Sequence, residues 1–236
     1  MSTRTAPHDR ALPTGDEKRT AVESMFDRVA PQYDRMNRVI SFGLDRRWRH
    51  ESIASLRLPA GSLVLDLACG TGDLVEELEG IGCFAVGIDL SEQMLASAHV
   101  DAPFVRGDAE RLPFPDAAFD GIVCGFAFRN FVELPRVLAE CARITRVSGR
   151  IAVLDAAVPH NRLLRAGNAI WFRGAVPLLG RLLTRAGDAY GYLPRSTAYL
   201  PDPEHLLAAF EEAGYTDVDR RTMTGGSVQL VTGTRT

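Results

Sequence analysis

The chain has 236 residues, 46% hydrophobic and 24% charged with 21 Gly and 13 Pro, a globular composition that excludes disorder, collagen and coiled coil. Its net charge of -3, from 27 Lys+Arg against 30 Asp+Glu, supplies no field to gather a polyanion, so nucleic acid is not an expected partner. Cys69, Cys83, Cys124 and Cys141 form no C-x-x-C pair, the histidines show no metal spacing, and no uncharged run reaches the ~18 residues that span a bilayer, which together predict a cytoplasmic protein with reduced thiols and no metal.

In chain order, residues 1–20 read as a polar, disordered leader and 21–60 as an N-terminal helical cap. In the cap, Val22, Met25, Phe26 and Val29 stand at helical spacing, Pro31 interrupts, and a second helical run extends from Tyr33 through Trp48 to Leu56. Leu58-Pro59-Ala60-Gly61 is a linker. From there to residue 236 short apolar runs alternate with helical stretches, the pattern of a parallel sheet wound with helices. The runs are Leu63 to Ala68, Phe84 to Ile88, Pro103 to Arg106, Phe119 to Cys124 and Arg150 to Leu154, with Ser91 a plausible N-cap. An insertion at about 160–201 breaks the alternation before a last helix at Pro203 to Ala213 and two strands, Thr216 to Arg221 and Ser227 to Thr232.

The first strand runs into Asp66-Leu-Ala-Cys-Gly70-Thr71-Gly72, a turn whose glycines leave room for a ligand against the backbone. Asp89 closes the second strand, where a carboxylate can accept from a ribose diol. A dinucleotide fold would show the same acid. It also wants a third small residue and a helix N-terminus facing a pyrophosphate, whereas Val75 and Asp73 stand here and Asp66 and Asp73 would repel phosphate. A phosphate-free cationic nucleoside suits the loop better. These motifs, with Gly107-Asp108-Ala109 after the third strand, resemble those of class I methyltransferases, which use S-adenosylmethionine (SAM). The resemblance implies a Rossmann-like α/β fold, a doubly wound and mostly parallel sheet, with the cap in front and the insertion after the fifth strand. It implies donor contacts from Asp66, Gly70, Thr71, Gly72, Asp89, Asp108, Ala109 and Gly125, with Asp108-Ala109 at the adenine. Gly82, Gly87 and Cys69 read as packing residues, and Asp120 as a structural cap or pair.

A second series narrows the resemblance. Met25-Phe-Asp-Arg-Val-Ala30, Tyr33-Asp-Arg-Met-Asn37, Phe42-Gly-Leu-Asp-Arg-Arg-Trp-Arg49, Leu112-Pro-Phe-Pro-Asp116, Phe126-Ala-Phe-Arg-Asn130, Tyr192-Leu-Pro194 and Thr224-Gly-Gly226 follow one another in the order seen in ubiquinone/menaquinone biosynthesis C-methyltransferases. That family methylates the ring of a polyprenylated, lipid-soluble quinol. The likeness implies demethylmenaquinol as acceptor, with Arg129, Asn130 and Tyr33 at the reacting ring: Arg129 for a developing phenolate, Asn130 for orientation, Tyr33 for donor contact or closure. The competing readings are an ion pair for Arg129 and simple packing for Tyr33. Departures fall nearby. Gly125 replaces a customary Ser, Asp155-Ala-Ala157 replaces Glu-Phe-Ser, and Arg195 follows Tyr-Leu-Pro in place of Glu, which keeps another aromatic or polyketide-like acceptor open.

Charge is unevenly placed. Residues 51–159 carry an excess of acids, while 160–187 hold Arg162, Arg165, Arg173, Arg181 and Arg185 and no acid, among Leu163, Leu164, Ile170, Trp171 and Phe172. Such a basic apolar segment reads either as a peripheral membrane contact at the inner face of the cell membrane or as a lid over the acceptor. The sequence leaves the oligomeric state, a homodimer included, open.

Overall fold

A computed structural model describes residues 13–183 and 196–236, apart from the side chains of 173 and 181–183. The elements are α1 (Gly15–Val29), α2 (Tyr33–Ile40), α3 (Leu44–Leu56), β1 (Leu63–Leu67), α4 (Asp73–Gly80), β2 (Phe84–Asp89), α5 (Glu92–Ala96), β3 (Phe104–Arg106), β4 (Phe119–Gly125), α6 (Leu134–Ile144), β5 (Thr145–Ala156), α7 (Arg162–Ile170), α8 (Val176–Leu183), α9 (Pro203–Glu212), β6 (Tyr215–Met223) and β7 (Val228–Arg235). A 3-10 turn at Phe128–Asn130 follows β4.

The strands form one seven-stranded sheet in the order β3-β2-β1-β4-β5-β7-β6. β1 to β5 pair in parallel, and β7 runs antiparallel to both neighbours. The central strands are continuous apolar runs because helices cover both faces of the sheet. On one face Leu65, Ile122, Ile151 and Val153 pack against Leu138 and Cys141 of α6 and Phe210 of α9. On the other, Val64, Val123, Ala152 and Leu154 pack against Ile53 and Leu56 of α3 and Leu74, Val75 and Leu78 of α4. A fully buried side chain of this size stabilises by about 1.5–3 kcal/mol, so these two layers hold the frame.

Chain order reverses between β1 and β4. Their outgoing loops therefore diverge and open a crevice at the carboxyl ends of the strands, the usual ligand position in an open α/β sheet. Ala68 and Phe126, just past β1 and β4, adopt left-handed backbone at φ 56° and 61°. Two such non-glycine residues at the crevice mark local strain stored there.

The N-terminal reading needs two corrections. α1 begins at Gly15, inside the stretch expected to be a disordered leader, and residues 1–12 lie outside the described residues. The expected run from Tyr33 to Leu56 is two helices, because Phe42 and Gly43 take left-handed φ of 55° and 76° and Ser41 donates from Oγ to Asp45 Oδ1 at 2.6 Å, starting α3 afresh. The insertion also has a destination. Val176 joins Met25, Val29, Met36 and Ile40 in a third core, Trp171 donates to the Ile40 carbonyl at 3.2 Å, and its ring lies 4.5 Å from that of Phe42. Cap and insertion thus form one helical layer.

Candidate active site

The crevice is a cleft of about 830 Å³, open mouth included, walled by the loops after β1, β2, β3 and β4 and roofed by α1 and Tyr33. Of the residues expected at the donor, Gly70, Asp89, Asp108, Ala109 and Gly125 line it; Tyr33 and Asn130 line it as well.

Each is held for a physical reason. Asp89 accepts from the Gly70 N–H at 2.9 Å and the Ser91 N–H at 2.8 Å, so the acid expected at the ribose, at the end of β2, also fixes the glycine loop. Burial raises its pKa, and those N–H groups hold it back down. Ser91 caps α5 by accepting from the Met94 N–H at 3.1 Å. At Gly70 φ is +57°, and a Cβ there would stand 3.8 Å from the Tyr33 ring, in the space between loop and roof. Gly125 ends β4 where a Cβ would meet Leu74 at 2.9 Å, so Leu74 occupies the position that a serine side chain would need.

Four expected site residues fall outside the lining. Gly72, at φ +91°, is required because a Cβ would meet Val100 at 2.9 Å and Phe104 at 3.0 Å. Gly87 packs against the same Phe104 ring, as expected of it. Thr71 donates from its hydroxyl to Asp34 of α2 at 2.6 Å, tying the loop to the cap. Asp66 is fully buried beneath the loop, its carboxylate without a close hydrogen-bond partner among the described residues; burial first, then the Asp89 charge, pushes its pKa well up.

Arg129 is the fourth. Its guanidinium is buried against Asp155 of β5 and donates to the Phe126 carbonyl at 2.6 Å and to Ser196 Oγ at 3.0 Å, while its backbone N–H donates to Asp155 at 2.9 Å. The ion-pair reading is therefore the observed one, with the acid on a strand instead of a helix. Arg129 holds the turn that presents Asn130 to the cleft. Tyr33 stays protonated, since burial raises its phenol.

The roof supplies residues that the sequence reading missed. Arg19, Val22, Glu23 and Phe26 of α1 line the cleft, as does Glu110. Arg19 pairs with Glu110 at 2.8 Å and Asp108 at 3.4 Å, Glu23 with Arg106 at 3.3 Å, and Asp27 accepts from the Ser91 hydroxyl at 2.6 Å. The signal was present in Thr14-Gly-Asp-Glu17, which has capping-box spacing and places acids in a first helical turn.

The far wall joins distant motifs. Trp48 of α3 donates from Nε1 to Thr224 Oγ1 at 3.0 Å, and its ring packs 6.0 Å from Phe126. Asp120 takes the structural role expected of it, accepting from the Leu63 N–H at 2.8 Å and pairing with Arg146. Tyr192 to Arg195 lie outside the described residues, as does Arg185.

The lining suits a cationic nucleoside, though not for the reason first given. Asp73 does not face the cleft; it is paired with Arg49 at 2.6 Å. The acids that do face it are Glu23, Asp89, Asp108 and Glu110, and the one lining cation among the described residues, Arg19, is held by two of them. A ribose diol and an ammonium or sulfonium fit such a lining, and a pyrophosphate does not. Fold and cleft together define a class I SAM-dependent methyltransferase.

Comparison with known proteins agrees. The model of the ubiE/COQ5 methyltransferase family matches residues 14–235, and the chain belongs to that family. It is 40% identical over 232 residues to a demethylmenaquinone methyltransferase of Roseiflexus sp. (strain RS-1), covering 94% of this chain and 96% of that one. With the protein of that name from Mycolicibacterium vanbaalenii it shares 42% over 215 residues, 91% and 94% of the two chains. Among solved structures, a SAM-dependent methyltransferase of Thermotoga maritima matches in fold with TM-score 0.65 at 19% identity, covering 91% and 99% of the chains.

Proposed function

We propose that this methyltransferase transfers a methyl group to a ring carbon of a polyprenylated quinol, converting demethylmenaquinol to menaquinol. The observation that carries the reading is the close likeness, over almost the whole chain, to relatives named for that substrate. SAM supplies an electrophilic methyl group when bound. The chain's residues then have three tasks: to hold the donor on Asp89 and the Asp108–Ala109 edge, to orient the ring, and to favour a ring hydroxyl that has lost its proton, since the oxyanion feeds electron density to the carbon. Asn130 and the protonated Tyr33, which both line the cleft, offer hydrogen bonds to the ring, and Arg129, one residue away and paired with Asp155, holds the turn that carries Asn130.

A lipid-borne acceptor also explains the outer surface. No helix among the described residues is long and apolar enough to cross a membrane. Leu163, Leu164 and Ile170 of α7 are nevertheless exposed, as are Leu178 of α8 and Phe42 beside Trp171. On this reading the helical layer rests on the inner face of the membrane and receives the quinol there. Arg165 is occupied in another way, donating to the carbonyls of Pro159 and His160 at 2.9 and 3.1 Å.

The test is incubation with methyl-labelled SAM and a panel of reduced naphthoquinols, benzoquinols and simple phenols. Label in a short-chain demethylmenaquinol supports the proposal. Label confined to a benzoquinol or to non-quinol phenols overturns it.

A further inference from the structure

Lys18 is the only lysine in a chain of 27 cationic residues, and it is buried, 6% exposed. Its Nζ donates to the backbone carbonyls of Arg129 at 3.1 Å and Phe131 at 2.6 Å and lies 3.9 Å from the centre of the Tyr199 ring. The two carbonyls flank Asn130. α1 thus reaches three of the four loops that build the cleft: Asp27 reaches the loop after β2, Arg19 the loop after β3, and Lys18 the turn after β4.

We propose that Lys18 is a positioning residue for methyl transfer, coupling closure of α1 over the cleft to the placement of Asn130 toward the acceptor. The turn after β4 and the residue that follows it point the carbonyls of Arg129 and Phe131 at a donor carried by the roof. An ammonium suits that place, being a compact group with its donors spread tetrahedrally, which can serve two carbonyls and an aromatic face together. A planar guanidinium is wider and directs its N–H groups in a fixed fork. Burial lowers the Lys18 pKa to about 8, the cost of placing an ammonium there. A ligand in the cleft lies beneath Arg19, Val22, Glu23 and Phe26, so the position of α1 sets how tightly the roof covers it, and movement of α1 away from the cleft releases the turn. Closure over the donor thereby assembles the acceptor side.

Acceptor placement in this proposal rests on the quinol reading; the latch itself does not. Two measurements separate them. In the first, amine labelling by reductive dimethylation of the wild-type protein is followed on the peptide containing Lys18, the chain's one ε-amine. S-adenosylhomocysteine is expected to slow that labelling at least tenfold, and an unchanged rate overturns the latch whether or not any quinol is turned over. In the second, Lys18→Met is expected to retain S-adenosylhomocysteine affinity within about threefold while kcat, on whichever acceptor the wild type methylates, falls at least tenfold, with Lys18→Arg failing to restore it. Unchanged kcat in Lys18→Met, or full rescue by Lys18→Arg, overturns the positioning role. The labelling arm stands even if Lys18→Met does not fold.

Discussion

Arg49 of α3 lies 2.6 Å from Asp73, the first residue of the helix that follows the glycine loop, and 2.8 Å from Asp45 on its own helix. One buried guanidinium thereby joins the cap to the donor loop and neutralises an acid that would otherwise raise the negative potential around Asp66. Burial shifts the Asp73 pKa up and Arg49 opposes that shift. Truncating Arg49 strands two carboxylates, so Arg49→Met is expected to lower unfolding free energy by about 3 kcal/mol, at the low end for a broken buried pair because Asp73 keeps some contact with water. Urea denaturation checks this, and Arg49→Lys should recover only part of the loss, since one ammonium cannot match the two-pronged geometry.

Asp89 is expected to matter to the empty protein as well as to binding. In Asp89→Ala the Gly70 and Ser91 N–H groups lose their acceptor, loosening the loop while removing the carboxylate that a ribose would use. S-adenosylhomocysteine affinity by calorimetry should fall at least fiftyfold, in keeping with the loss of charge-assisted hydrogen bonds at about 1.5–3 kcal/mol each. A change below threefold would remove Asp89 from the donor site.

Burial of Asp66 has a signed pH consequence. Its pKa is raised in the fold, so the folded state binds more protons than the unfolded chain above pH ~4. Whatever stability the protonated carboxyl contributes is complete below that value and is lost as pH rises through the folded pKa. Asp66→Asn keeps the shape and does not titrate. Wild type should therefore lose stability relative to Asp66→Asn as pH is raised from 4 to 8, read from urea midpoints of the two proteins, and parallel curves would contradict the burial effect.

The exposed face of the helical layer gives a separable prediction. Leu163 is 83% and Ile170 73% exposed, so replacing both with serine should scarcely alter stability. If each inserts into lipid and contributes about 1.5 kcal/mol, the double variant should bind anionic vesicles at least tenfold more weakly, with turnover of a short-chain, water-soluble quinol unchanged. Equal co-sedimentation of wild type and variant would exclude this face as the contact.

The sheet was legible because its strands are apolar runs separated by helical spacing, and the acidic edge of the cleft because Asp89 closes one such run and Asp108 closely follows another. Residues whose role depends on a distant partner were not. Thr71 and Gly72 sit in a motif that suggests ligand contact, yet their partners Asp34, Val100 and Phe104 come from other elements. Arg129 reads as reactive beside Asn130 until Asp155 meets it from β5. Asp73 looks free until Arg49, from α3, is seen beside it. The roof was overlooked for a different reason: α1 opens with charged residues, and their purpose is visible only where Lys18 and Arg19 land.

The Trp48–Thr224 hydrogen bond ties a helix near the start of the chain to a turn near its end. During synthesis every residue of the donor cleft has left the ribosome well before Thr224 is made. A nascent chain accordingly carries every lining residue of the nucleoside cleft before it carries the anchor of the wall formed by Trp48 and Phe126. The order of manufacture thus leaves that wall without its Thr224 anchor until residue 224 has been made.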